Sequence, residues 1–379
     1  MLHIAVFGNS KWSLLMKDIL EKEYSDLLIQ DGKEGIIVDA LVVLGTPQND
    51  SEISVREFAQ RYADGKMIAI IIPKEYYIHH NNLVLAFLRS GIDINDIYDG
   101  IRLNDRVRTI PKLVAGLITP TLSDPYLSYL EFHVADHCNL NCKYCTHYSP
   151  LVTEPVFTDY EQFSSDLRQL KKYIPDIGII RILGGEPLLN PDLGKFIALT
   201  RALYPASIIT VVTNGLLVQQ MSDDLLALMR DKMAFIHISF YPPLQEKIEE
   251  IKRFLYEQRI PYTITEMTTK FNKTQTLTPN ADEDFFYSCF QASCTCLQNG
   301  KLAPCYAPFT TKYFNVAFSK ELPTDEGIDL YDDELTLIQL KTALLNPMQR
   351  CQYCVSGDPY PWEIVGKHSV LEDWVVDFG

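Results

Sequence analysis

Cysteine is missing from the first 137 of the 379 residues, and the chain nowhere runs through 18 apolar residues in succession. The second absence leaves no segment of transmembrane-helix length. Positive charge is scarce as well: 34 Lys and Arg stand against 49 Asp and Glu, a net charge of −15. Phosphate neutralisation dominates nucleic-acid binding, so neither a nucleic acid nor an anionic membrane is the expected partner. The first residues, Met1 to Gly8, lack a basic n-region, a long apolar h-region and a small-residue cleavage site. No signal peptide is expected there, and the chain reads as cytoplasmic. Hydrophobic residues make up 47% and charged residues 22%, which excludes disordered and fibrous classes. At about 150 residues per domain, the length allows two or three domains with a sizeable core.

Nine cysteines are present, an odd number that suits a disulfide framework badly. A reducing cytosol makes metal binding or catalysis the better reading of clustered thiols. They fall in three groups: Cys138, Cys142 and Cys145; Cys289, Cys294, Cys296 and Cys305; Cys351 and Cys354.

The cysteine-free region alternates short apolar runs with helical patterns. Residues 2–7, 39–45 and 67–73 are apolar, as strands are when both sheet faces are covered, and helix-like stretches lie at 52–63 and 82–90. This predicts a doubly wound, Rossmann-like domain over 1–118. Gly8 sits where the first glycine of G-x-G-x-x-G would sit, and Asp31 about where a ribose-binding acid would follow. Ser10 and Ser13 replace the other two glycines. A scaffold or docking domain is the simpler reading, a nucleotide or nucleotide-sugar site the sharper one. The domain resembles degenerate Rossmann-like modules attached to surface-polysaccharide enzymes. A linker containing Pro111, Pro120, Ser123, Asp124 and Pro125 closes the region.

Residues 128–137 read as a strand, and Cys138-x3-Cys142-x2-Cys145 follows at once. Three thiolates on one short loop can hold three irons of a [4Fe–4S] cluster. A structural zinc site closes with four ligands, and His147 is the nearest substitute for a fourth cysteine. Three protein ligands leave one metal position open for chemistry. Further strands read at 178–183, running into Gly184-Gly185-Glu186-Pro187, and at 208–212, ending in Thr213-Asn214-Gly215. Two more read at 234–240, carrying His237 and Ser239, and at 262–267. Strand–helix pairs repeating every 25–35 residues suit an open partial (β/α)6 barrel, with each motif at a strand C-terminal end, where parallel sheets place ligands. His237 alone reads as a core group.

The run CNLNCKYC, with Tyr144 before its last cysteine, resembles the signature of radical S-adenosylmethionine (SAM) enzymes. The longer run Cys138–Pro150 is similar to a subgroup found with carbohydrate-modifying genes. The resemblance covers about residues 125–270. It implies a [4Fe–4S] cluster on Cys138, Cys142 and Cys145 that binds SAM through its open iron. It further implies SAM contacts from Tyr144, Gly184, Gly185, Glu186, Pro187, Thr213, Asn214 and Ser239, with Glu186 accepting from the methionyl amine.

Toward the C-terminus, Asn299-Gly300 is a strong hairpin signal that sets Gln298 opposite Lys301 and Cys294 opposite Cys305. Cys351-x2-Cys354 offers a second two-thiolate clip. The spacing Cys289-x10-Gly300-x4-Cys305 resembles the opening of SPASM and twitch auxiliary-cluster domains. A full SPASM domain carries further cysteines after its C-x2-C, and none follow Cys354, so one auxiliary [4Fe–4S] cluster is expected. Cys289, Cys294, Cys305, Cys351 and Cys354 compete for at most four places, and Cys296 is excluded by family pattern only. A zinc knuckle or buried structural thiols are the bland alternatives. The stretch 321–335, with seven acids and no base, reads as a solvated loop leading into a helix. The aromatic segment with Trp362 and Trp374 suggests packing alone.

The expected architecture is therefore α/β: a Rossmann-like domain (1–118), a radical SAM partial barrel (125–280) and a twitch-like auxiliary domain (281–379). The expected chemistry is reductive cleavage of SAM to a 5′-deoxyadenosyl radical that abstracts hydrogen from a sugar or other small polar, possibly nucleotide-linked, substrate. Electron loss to the auxiliary cluster would give dehydrogenation; a hydrogen atom from Cys289 or Cys296 would give epimerisation. His147, Tyr148 and Tyr241 are candidates for handling substrate or protons. An electron donor such as flavodoxin or ferredoxin is implied. A peptide maturase is the alternative enzyme, and an iron–sulfur or zinc interaction module the alternative without catalysis.

Overall fold

The computed structural model describes residues 1–25, 29, 34–73, 80–100, 118–280, 282, 285–365 and 369–376. Asp31 and Pro111 lie outside them. The chain divides into two compact units, Met1–Asp124 and Pro125–Gly379.

The first unit holds β1 (Leu2–Phe7), β2 (Ile36–Val43), β3 (Glu52–Ser54), β4 (Ala69–Pro73), β5 (Ile97–Gly100) and β6 (Ile118–Pro120). The sheet order is β3-β2-β1-β4-β5-β6, parallel except for β6. This is a doubly wound order that reverses between β1 and β4. The stretch 52–63 is not helical throughout: residues 52–54 form β3, and the Ser54 side chain then caps the helix Val55–Ala63 by accepting from the Glu57 N–H. Gly8 ends β1 at φ 85°, a left-handed conformation that glycine takes without strain. The turn after it is occupied by the chain itself. Ser13 donates its hydroxyl to the Phe7 carbonyl at 2.8 Å, and its N–H reaches Ser10 Oγ at 3.3 Å.

In the second unit β7 (Tyr126–Ala135), β8 (Asp176–Gly184), β9 (Ile208–Thr213), β10 (Ala234–Ile238) and β11 (Tyr262–Ile264) pair in parallel, in sequence order. Helices follow the strands because their apolar positions recur every three or four residues. In Tyr160–Tyr173 these are Phe163, Leu167 and Leu170, behind an Asp159 cap. β12 (Lys270–Asn272) leaves the sheet and pairs with β16 (Pro359–Pro361).

The cysteine hairpin does not form a sheet of its own. β13 (Cys296–Gln298) adds to the other edge of β7 in parallel, through Cys296 opposite Glu131 and the Glu131 N–H on the Thr295 carbonyl at 2.8 Å. β14 (Lys301–Ala303) and β15 (Ile328–Asp329) continue it antiparallel. Gln298 does face Lys301, and Asn299 and Gly300 both take positive φ, as a two-residue type I′ turn requires. Buried Asp166 accepts from the Gly300 N–H at 2.8 Å and from the Tyr331 hydroxyl at 2.9 Å, pinning the hairpin to a barrel helix. The acidic stretch 321–335 is thus more than a solvated loop: it contains β15 and buries Leu322, Leu330 and Leu335. Among the described residues, no helix is long and apolar enough to cross a membrane.

A tight steric constraint lies where β8 ends. A Cβ on Gly185 would stand 2.3 Å from the His137 carbonyl oxygen and 2.5 Å from that of Asp136. Overpacking of this kind costs about 1–3 kcal/mol, so Gly185→Ala should lower the denaturant midpoint. A Cβ on Gly194, in the helix Leu193–Leu203, would meet Leu228 at an ordinary 3.5 Å. Gly194→Ala should raise the midpoint by about 0.5–1 kcal/mol. Chemical denaturation followed by circular dichroism checks the opposite signs.

Candidate active site

The C-terminal ends of β7, β8, β9 and β10 meet around a small cavity of about 130 Å³. Cys138, Cys142 and Cys145 line it, facing Gly184, Gly185, Thr213, Asn214, Ser239 and Tyr241. Burial, helped by the neighbouring thiols and, at Cys138, by Glu186, pushes the Cys138 and Cys142 thiols up to about 12, and burial raises Cys145 too. Yet each sulfur has donors aimed at it. Leu140 N–H and Asn214 Nδ2 reach Cys138 Sγ at 3.3 and 3.5 Å, and the Trp362 indole N–H reaches Cys142 Sγ at 3.3 Å. Backbone N–H groups of His147, Tyr148 and Ser149 converge on Cys145. Donors of this kind favour thiolate over thiol and suit a metal-bound sulfur.

Glu186 is fully buried and lies behind the cavity wall rather than on it. Its Oε1 accepts from the Thr213 hydroxyl at 2.7 Å and the Leu188 N–H at 3.0 Å, and its Oε2 from the Asn214 N–H at 2.9 Å. Burial raises its carboxyl to about 7 against these three donors. Glu186 therefore ties β8 to β9 and sets Asn214, whose side chain also donates to Asn139 Oδ1 at 2.7 Å. Pro187 is buried beside it. The two glycines approach backbone: Gly185 N–H bonds the Ala135 carbonyl at 2.7 Å and Glu186 N–H that of His137 at 3.0 Å.

A second cavity, about 730 Å³, opens beyond the first and shares Cys145, His147, Tyr241 and Phe271 with it. Its far wall carries Cys289 and Cys354. His147 and Tyr241, two of the expected substrate residues, thus stand on both walls. His147 Nδ1 meets His133 Nε2 at 3.1 Å, and His133 Nδ1 meets Asp136 Oδ1 at 2.8 Å. The Tyr306 ring stacks on His147 with centroids 3.8 Å apart. Tyr144 lines the larger cavity, its ring 5.2 Å from that of Tyr360.

Two other expectations fail on burial. Tyr148 packs against Phe314 and Trp374, and its hydroxyl donates to Gln275 Oε1 at 2.8 Å, away from both cavities. Cys296 is fully buried in β13, where the sheet turns it from the cavity.

The remaining thiols separate into a quartet and an outlier. Cys289, Cys305, Cys351 and Cys354 interact electrostatically in all six pairings. Each receives a donor: Gln291 and Ala292 N–H on Cys289, Ala307 N–H on Cys305, Met348 N–H on Cys351, and Arg350 Nη1 on Cys354 at 3.2 Å. Among the described residues Cys294 couples to Cys289 but not to the other three and receives no donor; buried Glu131 disfavours its thiolate more than Arg181 favours it. Among the described residues, no three His, Cys, Asp or Glu side chains converge at the spacing of a single bound ion. A [4Fe–4S] cluster gives each iron its own thiolate, so its ligands need not meet at one point.

Sequence reasoning missed Trp362, Arg350 and Gln275. Trp362 was read as packing alone, but the segment around it covers the cysteine loop, with Lys143 N–H on the Glu363 carbonyl and Val365 N–H on that of Asn141, both at 2.8 Å. No local pattern marks a residue 220 positions away from its partner.

Residues 133–260 match the radical SAM superfamily. The chain is 37% identical over 101 residues to GTP 3′,8-cyclase of Clostridium acetobutylicum, covering 26% of this chain and 31% of the cyclase. It is 35% identical over 103 residues to that of Helicobacter pylori strain HPAG1, with the same coverage. It thus spans about a third of the length of these curated relatives. Among solved structures it is similar to BtrN in complex with AdoMet and 2-DOIA, at a TM-score of 0.38 and 16% identity, covering 60% of this chain and 92% of that one.

The separation of the thiols has a direct check. Cys351→Ser should lower the iron content of reconstituted protein by about four per chain, whereas Cys294→Ser should leave it unchanged. Iron and acid-labile sulfide analysis reads both.

Proposed function

The chain carries a radical SAM domain across residues 133–260, and on that premise we propose that it abstracts hydrogen from a C–H bond of a neutral, hydroxyl-rich small molecule, a sugar or a relative of one, and oxidises it. In this reading Cys138, Cys142 and Cys145 hold the SAM-binding [4Fe–4S] cluster, and Cys289, Cys305, Cys351 and Cys354 an auxiliary one. Bound there, the cluster and SAM supply the 5′-deoxyadenosyl radical.

The protein's part is positioning and exclusion of water. Gly184, Gly185, Thr213, Asn214 and Ser239 shape the wall against which SAM lies. Phe271 and Tyr241 stand on the wall that the two cavities share. His147 Nδ1 is taken by His133, so Nε2 is the ring nitrogen left to meet a substrate hydroxyl and hold its proton. The Tyr306 stack and the His133–Asp136 bond keep that ring in place.

The larger cavity carries this reading. Its volume lies within the usual range for small ligands, and Thr146, Asn272, Ser288 and Gln291 offer uncharged polar groups. Among its described lining residues there is no Lys or Arg, and Asp282 is the charged side chain besides the thiols and His147. That described lining offers a triphosphate no cation, which favours a neutral substrate over the nucleotide named for the cyclase relatives. The wall thiols all belong to the two ligand sets, and Cys296 stays outside, so oxidation is favoured over thiol-dependent epimerisation. The volume also favours a small molecule over a peptide. The one-electron donor, of the flavodoxin or ferredoxin class, is part of the same proposal.

Anaerobically reconstituted, dithionite-reduced protein should contain about eight irons per chain and form 5′-deoxyadenosine. A neutral sugar or sugar alcohol should stimulate that product, and GTP should not. Stimulation by GTP alone would replace this reading with the nucleotide one, and absence of SAM cleavage would leave an interaction module. His147→Gln should cut substrate oxidation by roughly 10²-fold or more, as loss of a proton acceptor does. Abortive SAM cleavage should persist, which chromatography of both products resolves.

A further inference from the structure

Arg350 is a buried cation with no carboxylate partner among the described residues. It is 2% exposed, on the short turn Gln349–Tyr353 that carries Cys351. Its Nε donates to Thr311 Oγ1 at 2.7 Å, its Nη2 to Gln275 Oε1 and, at 3.4 Å, to the Tyr148 hydroxyl, and its Nη1 to Cys354 Sγ at 3.2 Å. Every oxygen in that set is neutral. The nearby Glu326 carboxylate bonds the backbone N–H groups of Gln349 and Arg350, not the guanidinium. The groups that act most strongly on Arg350 are Cys354, Tyr148 and Cys305, and Cys351 also feels its charge.

An unpaired buried charge is among the costliest features a fold can hold. Tyr148 cannot neutralise it, since burial pushes its phenol up to about 12. Thiols can, once a metal has taken their protons. The trio at Cys138, Cys142 and Cys145 shows the contrast. Among the described residues, the donors to its sulfurs are backbone N–H groups, an amide and an indole, all uncharged. The nearest lysine, Lys143, is instead paired with Glu363 and Asp373. One ligand set therefore has a built-in positive charge on a sulfur, and the other has none.

We propose that Arg350 is the counter-charge of the Cys289, Cys305, Cys351 and Cys354 set, and that its bond to Cys354 holds the auxiliary cluster at a higher reduction potential than the SAM-binding cluster. The inference rests on the auxiliary-cluster reading above. Adding an electron makes a cluster more negative, and a neighbouring cation or a hydrogen bond to sulfur stabilises that form. An acceptor raised in this way is what an electron leaving a substrate requires, whereas the SAM-binding cluster must be the stronger reductant. Tyr148, set aside above as a substrate group, then has a place: its backbone N–H serves Cys145 while its hydroxyl meets Arg350 and Gln275.

The test is a redox titration of the full-length, reconstituted protein followed by electron paramagnetic resonance. Wild type should show two separate one-electron waves, and Cys351→Ser should remove the more positive one. Arg350→Gln should move that wave to lower potential and leave the other in place. Arg350→Lys keeps the charge but loses the fork, and should give a smaller shift in the same direction. If the more positive wave stays put in both variants, or in Arg350→Lys where Arg350→Gln fails to load iron, the tuning role is overturned while the auxiliary cluster stands. If wild type holds only about four irons and a single wave, the auxiliary reading falls and this inference with it.

Discussion

Gly185 bonds the Ala135 carbonyl through its N–H while its missing side chain leaves room for the carbonyls of Asp136 and His137. This backbone contact sets the start of the cysteine loop against the end of β8, and the rest of the site builds on it. Glu186, next in line, then reaches across to Thr213 and Asn214 at the end of β9. Asn214 returns to Asn139 and Cys138. Apart from exposed Asn139, the partners in this circuit are buried or half-buried, and it fixes the place of Cys138 against the ends of β8 and β9. The glycines and the glutamate organise the pocket from behind, and the side chains in front of them are free to meet a ligand.

A second constraint is charge. Nine thiols, buried or half-buried in an acidic chain, are stable as neutral groups, and burial raises most of them above their ordinary range. What distinguishes a ligand from a packed thiol is the set of donors around it. Seven sulfurs receive N–H groups. Cys294 has a buried glutamate for a neighbour, and Cys296 is sealed in the sheet. The cavity between the two donor-rich sets has Cys145 on one wall and Cys289 and Cys354 on the other, and the His147–His133–Asp136 chain supplies the polar side of its wall.

Much of this was legible in the residues. The C-x3-C-x2-C run, the GGEP turn and the strand-to-loop rhythm each stand at a strand end, as expected, because chain-local chemistry sets them: turn residues, apolar alternation and ligands only a few positions apart. The hairpin register followed from Asn299-Gly300 for the same reason. The misreadings share a different cause. Tyr148 and Cys296 carry reactive groups near the right motifs, but packing against Phe314 and Trp374, or inside β13, takes them out of the cavity. Trp362 and Arg350 carry no motif; the Trp362 partner lies 220 positions away and the oxygen partners of Arg350 lie 39, 75 and 202 positions away, on elements that meet only after folding.

By itself the sequence determined the kind of centre this protein builds, since ligand type, short-range spacing and strand periodicity are properties of neighbouring residues. Which thiols form the second set, which aromatic residues face the cavity and where a buried cation ends up were decided only in three dimensions. Those outcomes depend on which faces of distant segments become buried together, and the free energy of burying a charge or a sulfur has no meaning until its surroundings exist.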